Sequence, residues 1–255
     1  MDLESFNTSR ESLVPLLALN NKSNKNIIIF PTDKEAIEFS TDFSNLNKNI
    51  FHLPSWDTLS YDSFVPSFDI QGKRLEIAHL LLTNNNYNIA TSIKAISQRI
   101  YFEELEICKI ELNEEIDFDS LIENLIHLKY QRKDRVESKG SFAVRGGQLD
   151  VYPINYDLPL RVIFDGDLVN EIKTFDTISQ RSVSEKKDIL IVPATELFQI
   201  KHSDILNLSS NKKENLDDYE LFQYSQSLDL EKCLLDLTSN VALHIVDKNI
   251  VDNQL

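Results

Sequence analysis

Residues Phe142–Pro153 read FAVRGGQLDVYP, two short alternating runs separated by an arginine and a glycine pair. Gly146 and Gly147 can take the positive φ angles of a tight turn, which predicts Phe142 and Val144 pairing across it with Leu149 and Val151. A second hairpin follows: LPLRVIF (Leu158–Phe164) and LVNEIKTF (Leu168–Phe175) flank Asp165-Gly166-Asp167, and an Asp-Gly pair between alternating runs is a strong turn signal. Two consecutive hairpins predict a small antiparallel sheet, with Arg145 at or beside a rigid turn.

This segment differs in charge from the rest of the chain. The formal net charge is −15, yet Lys129, Arg132, Lys133, Arg135, Lys139 and Arg145 face only Asp134 and Glu137 in the window 129–145, a local +4 that leaves −19 elsewhere. A basic island can steer an acidic partner. The competing reading is an ordinary solvated face. With a pI near 4.7 the chain is poorly suited to gripping nucleic acid, which needs clustered Lys and Arg for phosphate contacts, so any DNA role is expected to be indirect.

The flanking segments follow another pattern. NIIIF (Asn26–Phe30) is a wholly apolar run suited to a strand buried on both faces of a parallel sheet. Thr32 or Asp33 can cap a following helix, with Ala36, Ile37 and Phe39 on its inner face. Ile50–Leu53 reads as a strand, Arg74–Leu82 as a helix with Leu75, Ala78, Leu81 and Leu82 on one face, and Ile89–Thr91 as another strand. Strands alternating with helices imply a parallel α/β layer.

Composition turns acidic and alternating near Tyr101, and a helix is expected over Ser120–Leu128. The apolar run and helix start in DILIVPATELF (Asp188–Phe198) suggest that the first layer resumes, and Val241–Val246 reads as a further buried strand beyond a polar loop at Asn207–Asp218. The expected organisation is a first part of the α/β domain over 1–104, an inserted β-rich domain over 105–187 and a second, short part over 188–255. Such nesting keeps the two ends of an insert close together.

Much chemistry is absent from the sequence. No glycine precedes Gly72, and neither GxxxxGK[ST] nor GxGxxG occurs, so phosphate binding by the usual loops is not expected. There is no GxSxG nucleophile elbow. Cys108 and Cys233 are isolated and read as reduced thiols, and the five histidines lack metal-ligand spacing. No catalytic, cofactor-binding or metal-binding residue is assigned. The loop LPSWDTLSYDSFVPSFD (Leu53–Asp69) holds Asp57, Asp62 and Asp69 just after His52, a conceivable acid–base set for a hydrolase. Packing is the preferred reading, with Trp56, Tyr61, Phe64 and Phe68 buried. No run of about 18 apolar residues or basic-then-apolar leader is present, so no membrane partner and a cytoplasmic location are expected.

Three ordered motifs bring a family into view. LPSWDTLSYDSFVPSFDIQGKRLEIAHLLL, GSFAVRGGQLDVYP, and LPLRVIFDGDLVNEIKTFD with SQRS at Ser179–Ser182 resemble segments of the bacterial transcription-repair coupling factor Mfd over roughly Leu53–Ala194. Its N-terminal module is similar to the damage-recognition protein UvrB. The resemblance implies a degenerate RecA/UvrB-like parallel-sheet domain interrupted by an inserted α+β domain with antiparallel hairpins. It also implies that the insert docks UvrA through Arg145 and Arg161, with Phe164 beside them and Arg132 and Arg135 as rim charges. Asp165 stands where the family usually has a second aromatic. The family's nucleotide site in this module is lost, and its ATP-dependent translocase motor and RNA polymerase-binding domain lie outside these residues. RNA polymerase and DNA are then partners only through those other regions. A self-inhibitory clamp on the parent motor is a compatible role; a UvrB-like or hydrolytic enzyme is the rival.

Overall fold

The computed structural model describes residues 3–5, 24–45, 50–58, 64–84, 86–98, 105–199, 222, 233, 236 and 241–246. The Asn207–Asp218 loop lies outside them, as do Tyr61 and Asp62. The chain divides into two compact units, one formed by Met1–Leu59, Ile77–Ile100 and Asp229–Leu255, the other by Ser60–Glu76 and Tyr101–Leu228.

The first unit is built on a five-stranded, wholly parallel sheet of order β1-β13-β2-β4-β3. Its strands are β1 (Leu3–Ser5), β2 (Lys25–Phe30), β3 (Phe51–Leu53), β4 (Tyr87–Ser92) and β13 (Ala242–Ile245). Ile27–Phe30 are all buried, as a strand covered on both faces requires. Ile27–Ile29 each sit between neighbours in parallel register, with Ile28 opposite Ala90 on one side and His244 on the other, and Phe30 pairs with Ser92.

Thr32 caps α1 (Asp33–Ser44), accepting from the Glu35 amide at 3.3 Å while its hydroxyl donates to the Glu35 carboxylate at 2.8 Å. Ala36, Phe39 and Phe43 form the buried stripe, and Phe39 packs against Phe30 at 5.0 Å between centroids. Ile37, expected on that stripe, is exposed: one residue beyond Ala36 it is turned about 100° around the helix. Leu82, also read as inward, is exposed near the end of α2 (Phe68–Thr83), and the short α3 (Ile93–Ser97) follows β4. Trp56 is buried as expected, whereas Phe64 and Phe68 are exposed, so the aromatics of this loop are not uniformly core.

The second unit carries a six-stranded sheet of order β11-β10-β9-β8-β7-β6. These are β6 (Gln131–Arg132), β7 (Ser141–Arg145), β8 (Gln148–Tyr152), β9 (Leu160–Asp165), β10 (Leu168–Phe175) and β11 (Ser182–Glu185). Both predicted hairpins are present, and Phe142 pairs with Val151 and Val144 with Leu149 as the sequence indicates. Of the glycine pair only Gly146 has positive φ, +57°. Gly147 serves a different need: a Cβ there would sit 2.8 Å from the Phe164 carbonyl oxygen, closer than real side chains come. Gly166, at φ +61°, turns the second hairpin.

One face of this sheet packs on α4 (Phe118–His127), which Asp117 caps by accepting from the Ser120 amide at 2.7 Å. The core between them joins Leu121, Leu125 and Leu128 to Phe142, Leu149, Val151, Leu160 and Val162. Asp188–Ile191 is a strand, β12, but the parallel layer does not resume there. It pairs antiparallel with β5 (Cys108–Glu111), and Ile189 and Ile191 complete this same core. The strand that returns to the parallel sheet is β13, read from Val241–Val246.

The first half of α2 is held within the second unit by polar contacts. Arg74 donates from Nε to Glu196 at 2.7 Å, with side chains 1% and 9% exposed, and Gln71 Oε1 accepts from the Glu196 amide and the Thr195 hydroxyl at 2.9 and 3.0 Å. A side chain at Gly72 would overlap the Ile154 carbonyl.

Two outcomes follow from this packing. Arg74→Met should lower stability in urea unfolding by about 3 to 5 kcal/mol, because Glu196 is left charged and buried, whereas Arg74→Met with Glu196→Leu should recover most of the loss. Burial pushes the Cys108 thiol up to about 11, so iodoacetamide at pH 8 should leave Cys108 unmodified in the native chain and alkylate it once denatured, as peptide mass spectrometry would read.

Candidate partner-binding face

Alternation along the strands assigns each residue of the six-stranded sheet to a face. Phe142, Leu149, Val151, Leu160, Val162 and Phe164 turn into the core, which leaves Ala143, Arg145, Gln148, Asp150, Tyr152, Arg161 and Ile163 on the other face.

Arg161 and Asp150 lie directly opposite each other on β9 and β8. The guanidinium makes a two-pronged pair, Nε to Oδ1 at 2.7 Å and one terminal nitrogen to Oδ2 at 2.9 Å. It lies over the Phe175 ring at 4.4 Å, and its other terminal nitrogen donates to the Gln180 carbonyl at 3.3 Å. The Gln148 amide also donates to both Asp150 oxygens, at 3.0 and 3.1 Å. The hydrogen bonds to Asp150 push the Arg161 pKa further up, so the guanidinium stays charged. Its side chains are only 16% and 6% exposed. Arg161, expected to pair with a partner's carboxylate, therefore spends its fork inside the sheet.

Phe164 is likewise internal. Its position on β9 points to the core, where its ring meets Phe118 edge-on at 4.9 Å. Asp165, at the end of the strand, is exposed.

The exposed cations lie toward the β6 edge. Arg132, Lys133, Asp134, Val144 and Arg145 line an open concavity of about 610 Å³. Arg145 donates to the Asp134 carbonyl at 2.9 Å, which orients it along the rim. Arg135 donates to the carbonyls of Thr177 at 2.8 Å and Ile178 at 3.4 Å and lies 3.7 Å from Glu137. Lys139 is structural: it holds Asp69 at 2.5 Å and the Ile154 carbonyl at 3.1 Å. The sequence-predicted set is thus split, with Arg132 and Arg145 at one concavity, Arg135 donating to the β10–β11 loop, and Arg161 and Phe164 packed within the fold. Asp150 and Gln180 were missed. For Asp150 the signal available was alternation, which sets a carboxylate at a non-core position of the first hairpin; its pairing with Arg161 comes from the β8–β9 register.

In the first unit, Pro31, Thr32, Asp33, Ser92, Lys94 and Ser97 border an open cavity of about 590 Å³ at the C-terminal ends of β2 and β4. Parallel sheets receive ligands at such ends. Here the Asp33 carboxylate occupies the place, accepting from the Ser92 hydroxyl at 2.6 Å and from that of Ser55. A resident anion at the start of α1 opposes the binding of a phosphate there. Among the described residues no group of three His, Cys, Asp or Glu side chains is placed to hold a metal ion, and no helix is long and apolar enough to cross a membrane.

Comparison with known proteins agrees with this organisation. Residues 108–197 match the family described as the UvrB interaction domain, from β5 through β12. The chain is 29% identical over 174 residues to the transcription-repair-coupling factor of Escherichia coli, a match covering 67% of this chain and 15% of that protein. It is 32% identical over 159 residues to the factor of Myxococcus xanthus, covering 61% and 13%. It is 26% identical over 271 aligned residues to that of Bacillus subtilis, covering 91% and 23%. The matches thus span less than a quarter of the length of these relatives. With its parallel α/β unit, its hairpin sheet and these matches, the chain is similar to the N-terminal, UvrB-like modules of the transcription-repair coupling factors.

Proposed function

We propose that this chain is a non-catalytic docking module that recruits UvrA in transcription-coupled nucleotide excision repair. The observation that carries the reading is the cluster of exposed cations Arg132, Lys133 and Arg145 around one concavity of a stiff sheet, in a chain of net charge −15. On this reading Arg145 makes the central contact, Arg132 and Arg135 steer, and Arg161 is a positioning residue that holds the sheet surface and the Gln180 loop. Phe164 supports the face from beneath. Guanidinium groups suit such a role because their planar fork matches carboxylates in a way an ammonium does not.

The absence of the usual phosphate-binding loops and the Asp33 carboxylate at the start of α1 support a module that does no nucleotide chemistry itself. A degenerate RecA-like ancestry of the parallel unit belongs to the same proposal. So does the assignment of translocation, RNA polymerase binding and DNA contact to regions of the parent protein outside these residues, and with it a cytoplasmic setting.

Calorimetric titration with UvrA tests the reading. Saturable binding is expected, and Arg145→Glu, folded by circular dichroism, should weaken it by about 2 to 5 kcal/mol, whereas Arg132→Glu should mainly slow association and flatten its salt dependence. No heat with folded wild type would sink the proposal. Arg161→Ala should behave differently, lowering stability by about 3 kcal/mol because Asp150 is left without its counter-charge.

A further inference from the structure

The loop between β10 and β11, Asp176–Arg181, reads DTISQR and is more tightly made than a surface turn needs to be. Asp176 accepts the Ser179 amide on its carboxylate at 2.7 Å and the Gln180 amide on its carbonyl at 2.8 Å, and its own amide donates to the Arg181 carbonyl at 3.0 Å. Gln180 holds a left-handed conformation, φ +60°, and its side-chain amide donates to the Thr177 carbonyl at 2.8 Å. Arg161 braces the loop at the Gln180 carbonyl and Arg135 at the Thr177 and Ile178 carbonyls.

This frame holds Ile178 in solvent at 87% exposure. Val183, at the register shift where β11 joins β10, is 59% exposed. A lone exposed aliphatic on a slack loop would need no explanation. A large aliphatic at the tip of a braced loop is different, because turn chemistry favours polar residues there and the loop loses little entropy when the side chain is buried by a partner.

We propose that Ile178, supported by Val183, is the apolar anchor of the docking face and enters an apolar socket rimmed by carboxylates on the partner protein. Charge complementarity selects that occupant: Arg132, Lys133, Arg135, Arg145 and Arg181 surround the loop and the neighbouring concavity against Asp134, Glu137 and Asp176. An apolar centre enclosed by a polar rim is the arrangement in which single side chains dominate affinity. The inference rests on the docking reading above and adds to it a residue that charge alone does not indicate.

The test compares wild type, Ile178→Ser and Arg145→Glu for binding to UvrA by calorimetry and surface plasmon resonance, with sedimentation velocity on each chain alone. Ile178→Ser should keep its circular dichroism and melting temperature, weaken binding about ten- to a hundredfold, chiefly through faster dissociation, and leave the salt dependence intact. Arg145→Glu should instead change the salt dependence. Wild-type affinity in Ile178→Ser, with binding lost in Arg145→Glu, would overturn the anchor and leave the docking reading standing. No binding by wild type would overturn both, and a self-associating wild type that Ile178→Ser renders monomeric would assign the loop to a second copy of this chain.

Discussion

Side chains on a β-strand alternate between two faces, so a turn that fixes which residues stand opposite also fixes which are buried. In the second unit that constraint is imposed at Gly146–Gly147 and Gly166–Asp167. Gly147 has no room for a side chain beside the Phe164 carbonyl, and the Phe164 amide donates to the Gly147 carbonyl at 2.7 Å, which ties one hairpin to the next. A slip of one residue would carry Arg145 and Arg161 into the core and bring Phe142, Leu149 and Val162 to the surface. The apolar burial that stabilises the sheet is therefore also what orders the charges on its other side.

The electrostatics of that side depend on how the cations are used internally. Arg161 and Lys139 are engaged by Asp150 and Asp69, while Arg145 and Arg135 are oriented by main-chain carbonyls. A carbonyl orients a guanidinium without neutralising it, so the positive potential survives where the side chain is exposed. The carboxylates do the opposite and turn Lys139 of the basic island, and Arg161 beyond it, into structural fasteners. Counting charges along the sequence could not separate these uses.

Much of the fold was legible because it follows short-range rules. Alternation and Asp-Gly or Gly-Gly turns located both hairpins, the first with its register, and the all-apolar Ile27–Phe30 run located a central parallel strand. Errors arose where tertiary context decided. Ile37, Leu82, Phe64 and Phe68 are apolar yet exposed, an outcome their residue types do not reveal. Asp188–Ile191 looks like any buried strand, and nothing local reveals that its partner is β5, about eighty residues earlier. For the candidate site, the motif resemblance indicated Arg145 and Arg161 together, but only the three-dimensional pairing shows that one is at the rim and the other is locked to Asp150.

The strand order of the parallel sheet bears on how the chain is made. β13 lies between β1 and β2, so Leu3–Ser5 has no strand to pair with until residues 242–245 have been synthesised, and β2 lacks one of its two neighbours until then. The hairpin sheet, α4 and the β5–β12 pair draw instead on residues 108–191, all of them made before β13, and the hairpins among them close over short separations. Non-local pairing is slow and local pairing fast. On the ribosome the hairpin sheet can therefore be complete while the half-built parallel sheet still waits with two open edges, the interval in which an apolar segment such as Ile27–Phe30 is most exposed to aggregation.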